Sequence, residues 1–530
     1  MAPSTVHKGV SLDTSAARIS TYQTPAGVRA ILVQTDEPLC SLHVAIATEA
    51  DTNAWSHKDD GLPHTLEHAI FMGSELYPYK GILDKLANRS LADGTNAWTA
   101  TDHTCYTLTT AGHEGCLNML PIYADHILYP TLTDECFLTE VHHVTGEGED
   151  KGVVYCEMQG RENNSSSLVD RAILDLLYPS SGYSAETGGK MANLRSLTNA
   201  QVTRYHRENY RADNMVFIIS GMVDEAPFLE ALAQVDARVA GKPPLSSGHA
   251  RPWDHPVAPI DADAVGVLAV GAQSGGAPKR IEFPSEDEST GVVSLAWRGP
   301  AFSESATWLA LRLLWKYLTD SAAAPLQKAF VECDDPLCGE VAPAHEVFSQ
   351  GYHQVWFEDA ECGTVDAIIP RFFQSVVEAR DAFDMERMGV TIRRFRRVHL
   401  KELEGYPSSA LIDPLIQHFI YQPVDATGGG SGGGSGGGSG GGSEASSAVE
   451  VMRRQLDPMA LMDEMLAMGA DAWVGLMNEF ILGRPCCAVV GMPSAALAKT
   501  IEEEGEALNQ AAWHPPPTLP PHSPLHPSTP

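Results

Sequence analysis

Two stretches in which strand-like and helix-like segments alternate, parted by a passage rich in Pro, Gly and Ala, constrain this chain's fold more than any other feature. In the first stretch, residues 28–33 and 42–47 read as neighbouring strands of β-branched and small apolar residues, and 216–221 as a short buried strand. Residues 63–72 read as a helix, with Asp60 and Gly61 ahead of it, Pro63 suited to its first turn and Gly73 able to end it. Residues 97–109 form a strand-and-turn unit, and 134–144, 153–161 and 168–177 read as helices. The second stretch opens with a strand at 291–297 and an amphipathic helix at 306–318, repeating the style of the first, so a duplicated domain is expected. The expected division is a first domain over 1–242, a connector over 243–284 and a second domain over 285–500. A GGGS run at 428–443 lies inside the second domain as a flexible loop, and 514–530 is a proline-rich tail unable to pack a core.

Composition narrows the function classes. The chain has 530 residues and a formal net charge of −32, from 68 acidic against 36 basic residues. Phosphate backbones and anionic lipid surfaces both need a basic face, so neither nucleic acid nor a membrane is an expected partner. Ten cysteines without a CxxC pair read as reduced thiols rather than a disulfide framework. The first twenty residues lack the apolar core of a signal peptide, and the expected location is the cytoplasm, with mitochondria left open.

The chemistry concentrates in His64-Thr65-Leu66-Glu67-His68, an H-x-x-E-H pattern inside the expected helix. Residues i and i+4 share a helix face, so His64 and His68 can turn two imidazole nitrogens toward one metal ion. Glu67 stands beside them, placed to act on a metal-bound water as a catalytic base. Taken alone, the pentapeptide also fits a helix with two hydrogen-bonded histidines. A third ligand must come from elsewhere, and Glu157, on the expected helix 153–161, is the best candidate; its other reading is a solvated carboxylate. The adjacent His142 and His143 cannot both face one metal from a helix, so they read as surface or core histidines.

Together, HTLEH, the downstream GTNAWTATDHTCYTL and the segment GVVYCEMQGREN resemble the pitrilysin/insulysin-type zinc metallopeptidases, the inverzincins. The similarity is nearest to their presequence-protease-like branch, and it extends through 205–215 and into 283–300. The resemblance implies an α+β fold of two homologous domains, each a mostly antiparallel sheet packed against helices. It implies Zn²⁺ held by His64, His68 and Glu157, with Glu67 as base, in a metalloendopeptidase that hydrolyses short or unfolded peptides. It also implies that Asn96, Ala97 and Trp98 lie on an edge strand to which a peptide substrate adds by main-chain hydrogen bonds. Asn96 also fits a simple turn after Gly94. In relatives a carboxylate seven residues before the glutamate ligand supports the metal site, and that position is Asp150 here, one methylene shorter than Glu.

Full-length members of that family carry four such domains in two halves, the second half supplying an Arg and a Tyr to the active site. No counterpart of that pair can be assigned in this chain. Two readings follow: a zinc endopeptidase, completed by a second half or a second chain, or a weakly active or inactive peptide-binding or assembly subunit.

Overall fold

The computed structural model describes residues 6–49, 58–242, 256–269, 276–421 and 441–512. Strands β1 (His7–Asp13), β2 (Arg18–Gln23), β3 (Arg29–Gln34), β4 (Leu39–Ala47), β5 (Ala92–Thr99), β6 (His103–Ala111) and β9 (Met215–Gly221) form a seven-stranded sheet in the order β1-β2-β3-β9-β4-β6-β5. Every residue of β9 is buried, as expected of a strand covered on both faces. Two short strands, β7 (His143–Val144) and β8 (Asp150–Lys151), pair with each other outside this sheet.

The second sheet contains β10 (Val267–Leu268), β11 (Lys279–Pro284), β12 (Thr290–Ala301), β13 (Glu340–Glu346), β14 (Gln350–Glu361) and β15 (Cys486–Ser494). Its connectivity repeats the first. In one sheet β3 runs parallel to β9, followed by β4, β6 and β5, each antiparallel to its neighbour. In the other, β11 runs parallel to β15, followed by β12, β14 and β13 in the same senses. The expected duplication is therefore present as topology, in a mostly antiparallel α+β fold.

Two expectations need correction. The passage 243–284 is not wholly a connector, because β10 pairs with Cys486 and Cys487 and β11 with Val489–Ser494. A two-residue ladder and a parallel edge strand leave little periodicity for a sequence reading to detect. The helix expected at 134–144 stops at Glu140, and the chain turns into β7. Gly152 explains the turn: it has φ +136° and packs against Val141, where a Cβ would lie 2.2 Å from the Val141 carbonyl oxygen. The GGGS run lies outside the described residues except for 441–443, which open the helix Gly441–Leu456, and the tail at 514–530 lies wholly outside them.

Helices α1 (Leu62–Ile70), α2 (Ile82–Arg89), α3 (His113–Leu128), α4 (Asp134–Glu140) and α5 (Val153–Arg161) pack with the helix Glu225–Gly241 on one face of the first sheet. The other face is covered from the second half. Leu411, Ile412, Leu415, Ile416 and Phe419, on the helix Pro407–Tyr421, pack against Ile31, Val33, Ala45, Val216 and Ile218. The reciprocal holds for α6 (Ser165–Leu177), whose Val169, Ile173 and Leu177 pack with Ala296, Cys487 and Val489 of the second sheet. Each half thus closes the other's core with a helix that lies between its own last two motif strands. At roughly 1.5–3 kcal/mol per buried aliphatic side chain, this exchange couples the halves strongly.

Candidate metal centre

The site is built on α1, which follows β4 and precedes the edge strand β5. Gly61 caps its N-terminus at φ +70°, a backbone setting natural to glycine, and Pro63 occupies the first turn. Leu62, Leu66 and Ile70 bury one stripe of α1 in the first core. His64 and His68 share another face, their rings 4.9 Å apart and nearly perpendicular.

Glu157 arrives on α5, which is seated by Val154, Tyr155 and Met158 in the same core as α1. Its Oε2 lies 3.5 Å from His64 Nε2 and 3.6 Å from His68 Nε2. The three potential ligand atoms all lie within 4.8 Å of one another. Zinc bonds of about 2.0–2.2 Å at tetrahedral angles would set ligand atoms roughly 3.3–3.6 Å apart, so the donor set and its spacing both fit zinc. The other Glu157 oxygen, Oε1, forms an ion pair with Arg161 Nη2 at 2.8 Å.

Electrostatics agree with the donor set. Burial, and then the neighbouring His68, pull His64 down to about 4; burial also lowers His68. Both imidazoles therefore present the neutral form that binds metal. Glu67 stays outside the three-residue cluster, and burial pushes its carboxyl up to about 7. Thr99 Oγ1, on β5, donates to Glu67 Oε2 at 2.5 Å. A carboxyl with a pKa near neutrality, held by one hydrogen bond beside a metal position, is suited to proton transfer.

The remaining sequence candidates fall as follows. Asn96, Ala97 and Trp98 do lie on β5, the outermost strand of its sheet, and Asn96 is exposed. Asn96 Oδ1 accepts the Ala97 N–H at 2.9 Å, and Trp98 Nε1 donates to His103 Nε2 at 3.0 Å. Asp150 does not reach the ligands. Its oxygens take His142 Nε2 at 2.6 Å, Arg195 Nη2 at 2.8 Å and the Tyr155 hydroxyl at 3.3 Å, which pin the β7–β8 turn behind α5. Behind His68 stands instead Glu140, whose Oε2 lies 4.0 Å from His68 Nδ1 while Oε1 accepts Lys80 Nζ at 2.8 Å. Glu140 is almost fully buried. Sequence reasoning missed Glu140, Lys80 and Thr99. Thr99 had a usable signal, one position past the Asn96–Trp98 strand, whereas Glu140 is placed by tertiary packing alone.

A cavity of about 230 Å³ opens beside His64, bounded by Thr99, Arg161, Asp170 and Arg171. It leads from His64 toward the second half, where Asp170 meets Gln354 at 3.5 Å.

Comparison with known proteins bears on the family. The family model "Insulinase (Peptidase family M16)" matches residues 35–154, a span that holds α1 and β5, and "Peptidase M16 inactive domain" matches 196–388. The chain belongs to peptidase family M16. An uncharacterized protein of Caenorhabditis elegans is 35% identical over 487 residues, which is 90% of this chain and 44% of that protein. The mitochondrial presequence protease of Xenopus laevis is 27% identical over 334 residues, covering 60% of this chain and 31% of that protein. This M16 chain thus spans less than half the length of these curated relatives. A protease structure from Helicobacter pylori aligns over 90% of this chain and 100% of its own with TM-score 0.66 and 15% identity, a likeness of fold. In the second half the topological counterpart of α1 is the helix Ser305–Thr319, SATWLALRLLWKYLT, which carries no His-Glu-His set.

Proposed function

We propose that this chain is the metal-binding part of a zinc-dependent metalloendopeptidase of family M16 that hydrolyses short or unfolded peptides. The observation that carries this reading is the convergence of His64, His68 and Glu157, with the Glu67 carboxyl left free of the cluster on the same helix. A zinc ion held by those three side chains would keep a fourth position for water, acidify that water and polarise a peptide carbonyl. Glu67 takes the proton from the attacking water and returns it to the leaving amine, and Thr99 fixes its orientation. The edge strand β5 offers Asn96–Trp98 for main-chain pairing, which suits a protease that reads backbone before side chains. The Asn96 amide, now closing on Ala97, must release that N–H for a substrate strand to pair there.

A second reading, a peptide-binding or assembly subunit with little activity, draws support from the inactive-domain match. A second half or a second chain that completes the active site belongs to the first reading as its expected partner. Zinc content and cleavage of a quenched fluorescent peptide, wild type against Glu67→Gln, separate the two readings. Retained zinc with cleavage lost only in Glu67→Gln supports the endopeptidase. Bound zinc without cleavage in either protein favours the binding subunit.

A further inference from the structure

The last two residues of the edge strand β5 face opposite ways, as successive strand residues do. Thr99 turns toward α1 and donates to Glu67 Oε2 at 2.5 Å. Trp98 turns to the other face of the sheet, where it packs beside Tyr421 on the core covered by the helix Pro407–Tyr421. Whatever fixes Trp98 therefore also fixes the hydroxyl that holds Glu67.

A directed chain of hydrogen bonds does so. The Trp98 Nε1–H can only donate, so His103 Nε2, 3.0 Å away, accepts it and the ring proton sits on Nδ1. His103 Nδ1 donates to Asp102 Oδ1 at 2.7 Å, and Tyr421 Oη donates to the other oxygen, Asp102 Oδ2. Tyr183 Oη lies 3.2 Å from Tyr421 Oη and accepts the Ser349 N–H at 3.2 Å. Ser349 belongs to the turn between β13 and β14, so the chain of bonds begins in the second half and ends one residue from Thr99. Asp102 and Tyr183 are almost fully buried. Asp102 lies in the tight turn between β5 and β6, closed by the Ala100 N–H on the His103 carbonyl at 2.8 Å. Burial, and then the Asp102 charge, raise the Tyr421 hydroxyl well above its ordinary value, which keeps it a donor.

We propose that Asp102, His103 and Tyr421 are positioning residues of the metal centre: through Trp98 they fix the end of β5 so that Thr99 stays on Glu67, and they make the orientation of the base depend on the second half. The proposal rests on Glu67 as the base of the proposed peptidase. Buried networks whose donors and acceptors are paired are rigid, and rigidity matters here because a misplacement of about 1 Å can cost roughly 100-fold in rate. An edge strand has a neighbour on one side only, so β5 needs this second anchor more than a central strand would.

Two measurements on the zinc-loaded full chain test this, cleavage of a quenched fluorescent peptide and hydrogen exchange of β5 read by mass spectrometry. Tyr421→Phe, which removes one hydroxyl and keeps the ring, should lower kcat about 10-fold with KM within about 2-fold and zinc content unchanged. In a Thr99→Val background the same substitution should cost less than about 2-fold, because its effect passes through Thr99. His103→Gln keeps an acceptor and a donor, whereas His103→Phe keeps only the ring volume, so the Gln variant should retain more activity; a role in packing alone predicts the opposite order. Exchange in peptides covering β5 should run about 10-fold faster in Tyr421→Phe and His103→Phe and return toward wild type in His103→Gln. Thermal melting checks that each variant is folded. Exchange needs no cleavage, so an inert wild type would sink the endopeptidase reading alone and leave this proposal to the exchange. Full additivity of Tyr421→Phe with Thr99→Val, the reverse order of the two His103 variants, or unchanged β5 exchange in a folded Tyr421→Phe protein would overturn it.

Discussion

Leu415→Ala tests the reciprocal exchange of helices. Leu415 belongs by sequence to the second half, yet its side chain is fully buried among Ile31, Val33, Ala45 and Val216 of the first sheet. Removing three carbons from such a site, in a core that can collapse only partly, costs about 3 kcal/mol. For amides that exchange only through opening of that core, this is roughly a 100-fold acceleration. Native-state hydrogen exchange read by mass spectrometry should show it in peptides covering β3, β4 and β9, which lie hundreds of residues from the substitution. The reciprocal variant, Ile173→Ala on α6, should accelerate β12 and β15 by a similar factor, since Ile173 is fully buried with Ala296, Cys487 and Val489. Urea unfolding of either variant should remain a single transition, displaced to lower midpoint. Acceleration confined to the half that carries the substitution, or two separated unfolding transitions, would refute the exchange as the link between the halves.

Three further outcomes follow from the site and the cores. Thr99→Val, which removes the hydrogen bond to Glu67 while preserving shape, should lower kcat by about 10-fold or more with zinc content unchanged, measured with a quenched fluorescent peptide. Glu140→Gln should weaken zinc binding by about 10-fold in a competitive chelator titration, because it removes the buried negative charge 4.0 Å from His68 Nδ1. His353 is fully buried and its pKa is lowered to about 3 by burial, so between pH 6.5 and that value only the unfolded chain takes up its proton. Stability should therefore fall on acidification through this window. In His353→Phe the loss between pH 6 and 5 should be smaller by about 1.2 kcal/mol, read from urea midpoints at each pH.

What the sequence made legible was local. The H-x-x-E-H spacing places His64 and His68 on one face by helix geometry, and the structure puts them there with Glu157 alongside. The two alternating stretches announced a duplication that appears as matching strand order. What stayed hidden depends on distance in the chain. Asp150 and Glu140 are both acids upstream of Glu157, and only packing decides that Asp150 turns to Arg195 and His142 while Glu140 faces His68. The apolar stripe of the Pro407–Tyr421 helix predicts a buried face but not which sheet it covers. β11 escaped notice because its half-charged KRIEFP, with only Phe283 buried, owes its place to pairing with β15 rather than to its own pattern.

Anomalous diffraction at the zinc edge, from crystals of the full chain, tests the zinc site proposed between α1 and α5. One strong peak is expected about 2.0–2.2 Å from His64 Nε2, His68 Nε2 and a Glu157 carboxylate oxygen, with the Glu67 carboxyl outside bonding distance. A zinc peak elsewhere in the molecule, or a zinc bound by the histidines with Glu157 turned away, would contradict it.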